Sequence, residues 1–359
     1  MSASLLIAQL LNGLQYGVML FLLAAGLTLV FGIMSFVNLA HGSLYMLGAY
    51  AAAVVGGYTE SFGLGVLAAV ATGLVVGMVL EWVAVSRLYQ RDHLDHVLAT
   101  FGLVLFFNEV VRMIWGPQPV FVSLPESLSG TVDLFGFTYP TYRFLIIGVG
   151  LLVAAGSQWL IHKTRMGMLI RAGSVNPQMV GALGVDQAKL FTSVFFVGSV
   201  LAGLGGALQI PREPANLELD LAIIADAFVI TVVGGLGSIT GAFLAAIIIG
   251  VAKAFCIGIG TVTWFGFEIS FSKLTLVVEF LIMAIVLVAR PYGLLGKPQA
   301  AQRIALDPAP PLTAPSWKIA LVWVVLLLVV PMVADRYITI MLTDIVCFAL
   351  FAVSLHFIM

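Results

Sequence analysis

Charge is the scarcest feature of this sequence. Asp, Glu, Lys and Arg make up 9% of its 359 residues, against about 25% in an average globular domain. Hydrophobic residues make up 61%, where about 45–50% is ordinary. That composition excludes a soluble enzyme and a disordered tail. The 16 Lys and Arg against 17 Asp and Glu leave a net charge of −1, so there is no basic field to recruit a nucleic acid. Cysteine is confined to Cys256 and Cys347, both in apolar runs without CxxC spacing. Neither a metal site nor a disulfide framework follows from them, and no cofactor is expected. The Gly-rich stretch 234–241 lacks GxxxxGK[ST], so it is no phosphate cradle. No Lys or Arg precedes Arg87; a secretory signal needs a basic start, so the N-terminus reads as a retained span.

What is present is apolar length. Residues 1–59 carry no Asp, Glu, Lys or Arg. As one helix they would run about 88 Å at about 1.5 Å per residue, and a bilayer core is about 30 Å thick. The chain must cross repeatedly, which makes it all-α: a polytopic transmembrane helical bundle. Charged and Gly/Pro-rich breaks divide it into eleven candidate crossings at 5–31, 36–57, 62–85, 96–115, 141–161, 189–210, 221–235, 239–257, 270–289, 318–334 and 339–359. The seventh is short and reads equally as a re-entrant or broken helix.

Placing the N-terminus outside puts ten of the 16 basic residues on the inner side, in the loops around Arg87, Lys163 to Lys189 and Arg290 to Lys318. Small residues recur every fourth position at Gly65, Ala69, Gly73 and Gly77, and at Gly198, Ala202 and Gly206. Such ridges let helix backbones approach closely in lipid, and packing within the chain is the expected use. The outer loop 116–140 alternates turn residues with β-prone ones, a pattern for a short hairpin.

Polar groups inside spans are expensive and each is a candidate for function. They are Asn12, Gln15, Asn38, His41, Asn108, Glu109, Asp226, Lys253, Lys273 and Glu279. Lys253, Lys273 and Glu109 lie close to the expected membrane interfaces, where snorkelling is the plain explanation. Glu279 is deeper and suits a pairing role. The inner loop 162–188 is the most informative soluble segment. Asn176 followed by Pro177 is a helix-start signal, and Gly181 and Gly184 permit a tight exit. A short helix lying across the inner face is a docking element.

The segment 12–50, NGLQYGVMLFLLAAGLTLVFGIMSFVNLAHGSLYMLGAY, resembles the permease family of branched-chain amino acid ABC importers. The strings LTLVFG, NLAHGSLYMLGAY and GTVDLFGFTYPTYRF carry the resemblance. TRMGMLIRAGSVNPQMVGALGV is similar to the family's ATPase-coupling segment, and VVGGLGSITGAFLAAIIIGV to its Gly-rich turn. The likeness spans about residues 5–296. It implies an ABC importer permease in a bacterial inner membrane, with its N-terminus periplasmic and no enzyme chemistry of its own. It also implies two ATP-binding subunits, a second permease subunit and a periplasmic solute-binding protein, with hydrophobic amino acids as solutes. On this reading Asn12, Asn38 and His41 are pathway or gating groups. Arg171, Ala172, Gly181, Leu183 and Gly184 belong to the ATPase-coupling loop. A urea or short-amide permease and an ion-coupled secondary transporter are the alternatives.

The expected domains are a permease domain over 1–292, a Pro-rich cytoplasmic linker over 293–316, and two further spans over 317–359. The last span, CFALFAVSLHFIM, echoes LLAAGLTLVFGIM near the start, as if a partner permease began there and were cut short.

Overall fold

The computed structural model describes residues 3–34, 36–89, 91, 93–122, 124–126, 128–134, 137–264 and 267–296, with isolated helical positions between 317 and 350. Most of the Pro-rich linker and of the two last expected spans lies outside the described residues. The fold below concerns the unit that ends at Ala300.

The first helix, α1 (Ala3–Met34), forms because its 32 residues contain no charge and no proline. It is about 48 Å long, longer than a bilayer core, and almost every side chain from Val18 to Val30 is buried. It is the axis of the bundle. Residues 36–40 then turn back alongside it, so that α2 (His41–Thr59) starts with its His41 ring against Gly26 of α1. The expected second span began at 36; those first five residues are irregular or turn backbone instead. A chain returning through the bundle ahead of the helix is the physical reason.

α3 (Phe62–Leu80) runs on through a π-helical turn (Glu81–Val85) into α4 (Ser86–Leu88). α5 (His93–Trp115) leads to a hairpin of β1 (Thr131–Leu134) and β2 (Phe137–Pro140), with Thr131 opposite Pro140. α6 (Thr141–Lys163), α7 (Arg165–Val175) and α8 (Pro177–Ala182) follow. After α9 (Gln187–Gln209) and α10 (Leu219–Gly234) comes α11 (Ile239–Ile259). A second hairpin, β3 (Thr261–Trp264) and β4 (Phe267–Ser270), precedes α12 (Phe271–Ala289). Polar caps mark the breaks. Ser61, Thr164, Asn176, Asp186 and Ser238 each accept a hydrogen bond from the backbone N–H three residues on, satisfying donors that every helix start leaves bare.

Seven helices among the described residues are long and apolar enough to cross a membrane. Nine of the eleven expected crossings fall on described helices, and two of those nine, α2 and α10, do not meet that measure. In α2, His41, Ser43, glycines and tyrosines dilute the apolar run. α10 has 16 residues, about 24 Å, and ends on the Gly-rich turn.

The small-residue ridges are used inside the chain. Gly65, Ala69, Gly73 and Gly77 are buried on one face of α3. A Cβ on Gly73 would lie 2.6 Å from the Ser199 carbonyl of α9, and one on Gly203 equally close to the Ala69 carbonyl of α3. α2 joins the same contact through Gly48 against Gly203. The expected hairpin is present. The second one was not expected, although GTVTWFGF repeats the opening of GTVDLFGF. Each hairpin is closed in the same way: Thr141 N–H donates to the Gly130 carbonyl (2.9 Å) and Phe271 N–H to the Gly260 carbonyl (2.8 Å).

Candidate functional site: a polar cavity and a capped helical segment at opposite ends of the bundle

At the hairpin end lies a cavity of about 390 Å³. Gln9, Asn12, Gln15 and Tyr16 line it from α1, Arg143 from the first turn of α6, and Arg212 from the loop after α9. Gly250, Lys253, Ala254 and Ile257 of α11 and Thr275 and Leu276 of α12 complete the wall. α1 presents its four polar residues here because 9, 12 and 16 lie one helical turn apart, with 15 beside them. Arg143 donates to the Asn12 side-chain amide oxygen Oδ1 and lies 5.6 Å from the Tyr139 ring centre. Arg212 lies 5.1 Å from the centre of the Tyr16 ring.

Beside the cavity is a buried charge cluster. Lys253 Nζ of α11 reaches Asp226 Oδ2 of α10 at 2.7 Å and Glu279 Oε2 of α12 at 2.6 Å. The Tyr16 hydroxyl donates to the same Asp226 oxygen at 2.8 Å. Four helices meet through these side chains. Glu279 is the buried residue of α12 among those described; the helix otherwise turns a largely exposed apolar surface outward. Lys253, read from its position as a snorkelling side chain, is instead the centre of this network. Sequence spacing does not reveal that α10, α11 and α12 converge. Among the described residues, Glu109 makes an exposed 2.9 Å pair with Arg112.

A second buried polar group centres on α10. Asp220, 1% exposed, accepts from Ser43 Oγ (3.2 Å), Asn108 Nδ2 (2.7 Å) and Leu221 N–H (2.8 Å). It ties α2, α5 and α10 together.

The three proposed pathway residues separate. Asn12 lines the cavity. Asn38 and His41 do not; they are buried where the chain turns from α1 into α2. Neither amide atom of Asn38 finds a hydrogen-bond partner among the described residues. The His41 ring sits between the Leu23 carbonyl and the Gly26 and Gly198 backbones.

The far end of α6 carries the other feature. Thr164 caps α7 through Gly167 N–H (3.0 Å), and Asn176 caps α8 through Met179 N–H (2.9 Å). Arg171 and Ala172 are exposed on α7. Val175, Met179 and Leu183 project to 74%, 58% and 78% exposure, and Met168 of α7 is exposed as well. Gly184 has φ +87 with open space around it, which lets the chain turn sharply into Asp186 and α9. Gly181 packs on the Gln187 side chain. The five expected coupling residues therefore lie on one continuous segment.

The chain is thus a multi-pass helical bundle with a polar cavity at one end and a capped, exposed segment at the other, and its sequence places it among membrane transport permeases. The chain belongs to the family of branched-chain amino acid transport system permease components, whose sequence profile matches residues 9–287. It is 30% identical over 309 residues to the high-affinity branched-chain amino acid transport system permease protein BraD of Pseudomonas aeruginosa, covering 81% of this chain and 96% of that protein. Over 307 residues it is 26% identical to LivH of Escherichia coli, named for the same transport, with the same coverage. It is also 28% identical over 259 residues to the ribose import permease protein RbsC of E. coli, covering 68% of this chain and 76% of that one. No solved structure matches. The chain is thus a permease of the ABC importer type, and such permeases work with ATPase subunits and a binding protein.

Proposed function

We propose that this chain carries branched-chain or other hydrophobic amino acids across the membrane by alternating access, with no catalysis of its own. It acts with a second permease subunit, two ATP-binding subunits and a periplasmic solute-binding protein. The hairpin end and the start of α1 face the periplasm. The observation that supports this is the separation of the two sites along α6. That helix has 23 residues, about 34 Å, with Arg143 of the cavity near one end and the α7–α8 platform at the other. The platform receives the ATPases, and the row of Val175, Met179 and Leu183 is the surface that seats in them. Asn12 belongs to the pathway; Asn38 and His41 act in gating from the core. Curated relatives named for branched-chain amino acid transport, and one for ribose, lend no support to a urea permease or an ion-coupled carrier.

The test is uptake of radiolabelled leucine, urea and ribose by the complete complex in vesicles, with and without ATP. ATP-dependent leucine uptake is expected. Transport by the isolated chain without an ATPase overturns the proposal. Leu183→Asp should leave expression unchanged and abolish solute-stimulated ATP hydrolysis; full stimulation refutes the coupling role.

A further inference from the structure

We infer that Arg143 and Arg212 form a carboxylate-receiving pair in the cavity, which makes a free carboxylate on the solute a condition of occupancy. This inference deepens the amino-acid reading and rests on it for the identity of the solute.

The cavity holds three cations. Lys253 is engaged by two carboxylates at 2.7 and 2.6 Å. Arg143 and Arg212 have no carboxylate within ion-pair distance among the described residues; the ion pairs found there are those of Arg112, Lys189 and Lys253. Arg143 is held by a neutral amide, Asn12, and Arg212 by an aromatic face, Tyr16. Both guanidinium groups keep donors available, and a guanidinium presents its donors in a fork that matches a carboxylate. The two line the same cavity, one held at Asn12 and the other over Tyr16, a helical turn apart on α1.

The remaining wall discriminates as well. Ala254, Ile257 and Leu276 give the cavity an apolar side for an aliphatic chain. Its volume, about 390 Å³, falls within the range of about 300–1,000 Å³ found for small-molecule sites. Counted with Asp226 and Glu279, the surroundings carry one net positive charge. A sugar gains nothing from that charge, and a solute whose carboxylate is capped as an amide retains only its ammonium, which the field repels. The pair therefore sets the division between amino acids and the neutral solutes of other permeases.

The test uses the complete complex in lipid nanodiscs, with Cys256→Ala and Cys347→Ala and a reporter thiol at Ile257→Cys on the cavity wall. Maleimide labelling is timed in the presence of leucine, 4-methylpentanoate or leucinamide. Leucine and 4-methylpentanoate are expected to protect at a concentration about tenfold or more below leucinamide, the size of effect a charge-assisted hydrogen bond supplies. Arg143→Gln and Arg212→Gln should each erase that difference, and Arg143→Lys and Arg212→Lys should retain most of it. Equal protection by leucinamide, or a difference that survives both glutamine variants, overturns the inference; so does labelling that no solute slows. Uptake separates the two readings. ATP-driven leucine uptake unchanged in both glutamine variants sinks the carboxylate pair and leaves the importer function standing. Carboxylate-specific protection without ATP-driven leucine uptake by the parent complex sinks the solute assignment and leaves the pair standing.

Discussion

Replacing Lys253 by methionine tests the charge cluster that docks α12. The side chains of Asp226 and Glu279 are only 12% and 6% exposed. With the ammonium gone, two carboxylates would face one another in a poorly solvated site. Removing one partner of a buried pair costs about 3–5 kcal/mol, chiefly because a bare charge remains. Asp226→Asn alone should cost about 1 kcal/mol or less: it leaves Lys253 and Glu279 as a matched pair, and the amide oxygen still accepts from Tyr16. The triple variant Lys253→Met, Asp226→Asn, Glu279→Gln should recover most of the loss, since it leaves no bare charge and a buried amide costs far less to desolvate than a carboxylate. The assay is the free energy of unfolding of the purified chain in mixed detergent–SDS micelles. A Lys253→Met protein within 1 kcal/mol of the parent, or a triple variant as unstable as the single one, would refute the reasoning.

Asp220→Ala removes the acceptor for Ser43 and Asn108 and should cost about 1–3 kcal/mol for each donor left bare, with Asp220→Asn milder; unfolding in the same micelles measures both. Asp186 caps α9 from the exposed face, and the Lys189 backbone N–H and ammonium hold its carboxyl below the ordinary carboxylate value. A depressed pKa means stability present above the unfolded value and lost as pH falls through the folded one. Melting followed from pH 6 downward should therefore show an acid-side loss that Asp186→Asn, which keeps a cap without a charge, does not show.

Much of the bundle was legible because lipid imposes it. Long uncharged runs have few alternatives to helices, and Asn176–Pro177 announces α8 through a local rule of capping. The small-residue ridge of α3 could be read from one helix alone. What required the structure was which helices are neighbours. Lys253 looked like an interfacial lysine until α10 and α12 supplied its two carboxylates. Nothing local to Arg143 or Arg212 shows that α6 and the loop after α9 open on the same cavity. Asp220 gives no local sign of its place, since only the fold buries the start of α10 opposite Ser43. The return of the chain at 36–40 carries no Pro or Gly to mark it. The second hairpin did carry a signal, the recurrence of GTV and FGF after Gly260, and comparison with the first would have found it.

The glycines allow the packing argument to be tested against itself. Gly17, Gly26, Gly73 and Gly203 lie where a Cβ would come within 2.6–2.8 Å of the backbone or ring of another helix. Gly57, Gly102, Gly148 and Gly156 are also helical, yet a Cβ there would meet nothing within 4 Å. One substitution, Gly→Ala, should then have opposite signs in the two sets. At the open positions it removes backbone freedom from the unfolded chain and gains about 0.5–1 kcal/mol. At the contact positions the same methyl must push α1 from α9 or α11, or α3 from α9, and overpacking of this kind costs about 1–3 kcal/mol. Helix propensity alone predicts eight stabilised proteins. Close approach of backbones, with only the His41 ring at Gly26 intervening, predicts four of each. Unfolding of the eight variants in detergent micelles decides between these accounts, and stabilisation at Gly26 or Gly203 would show that these helices have more room between them than the structure allows.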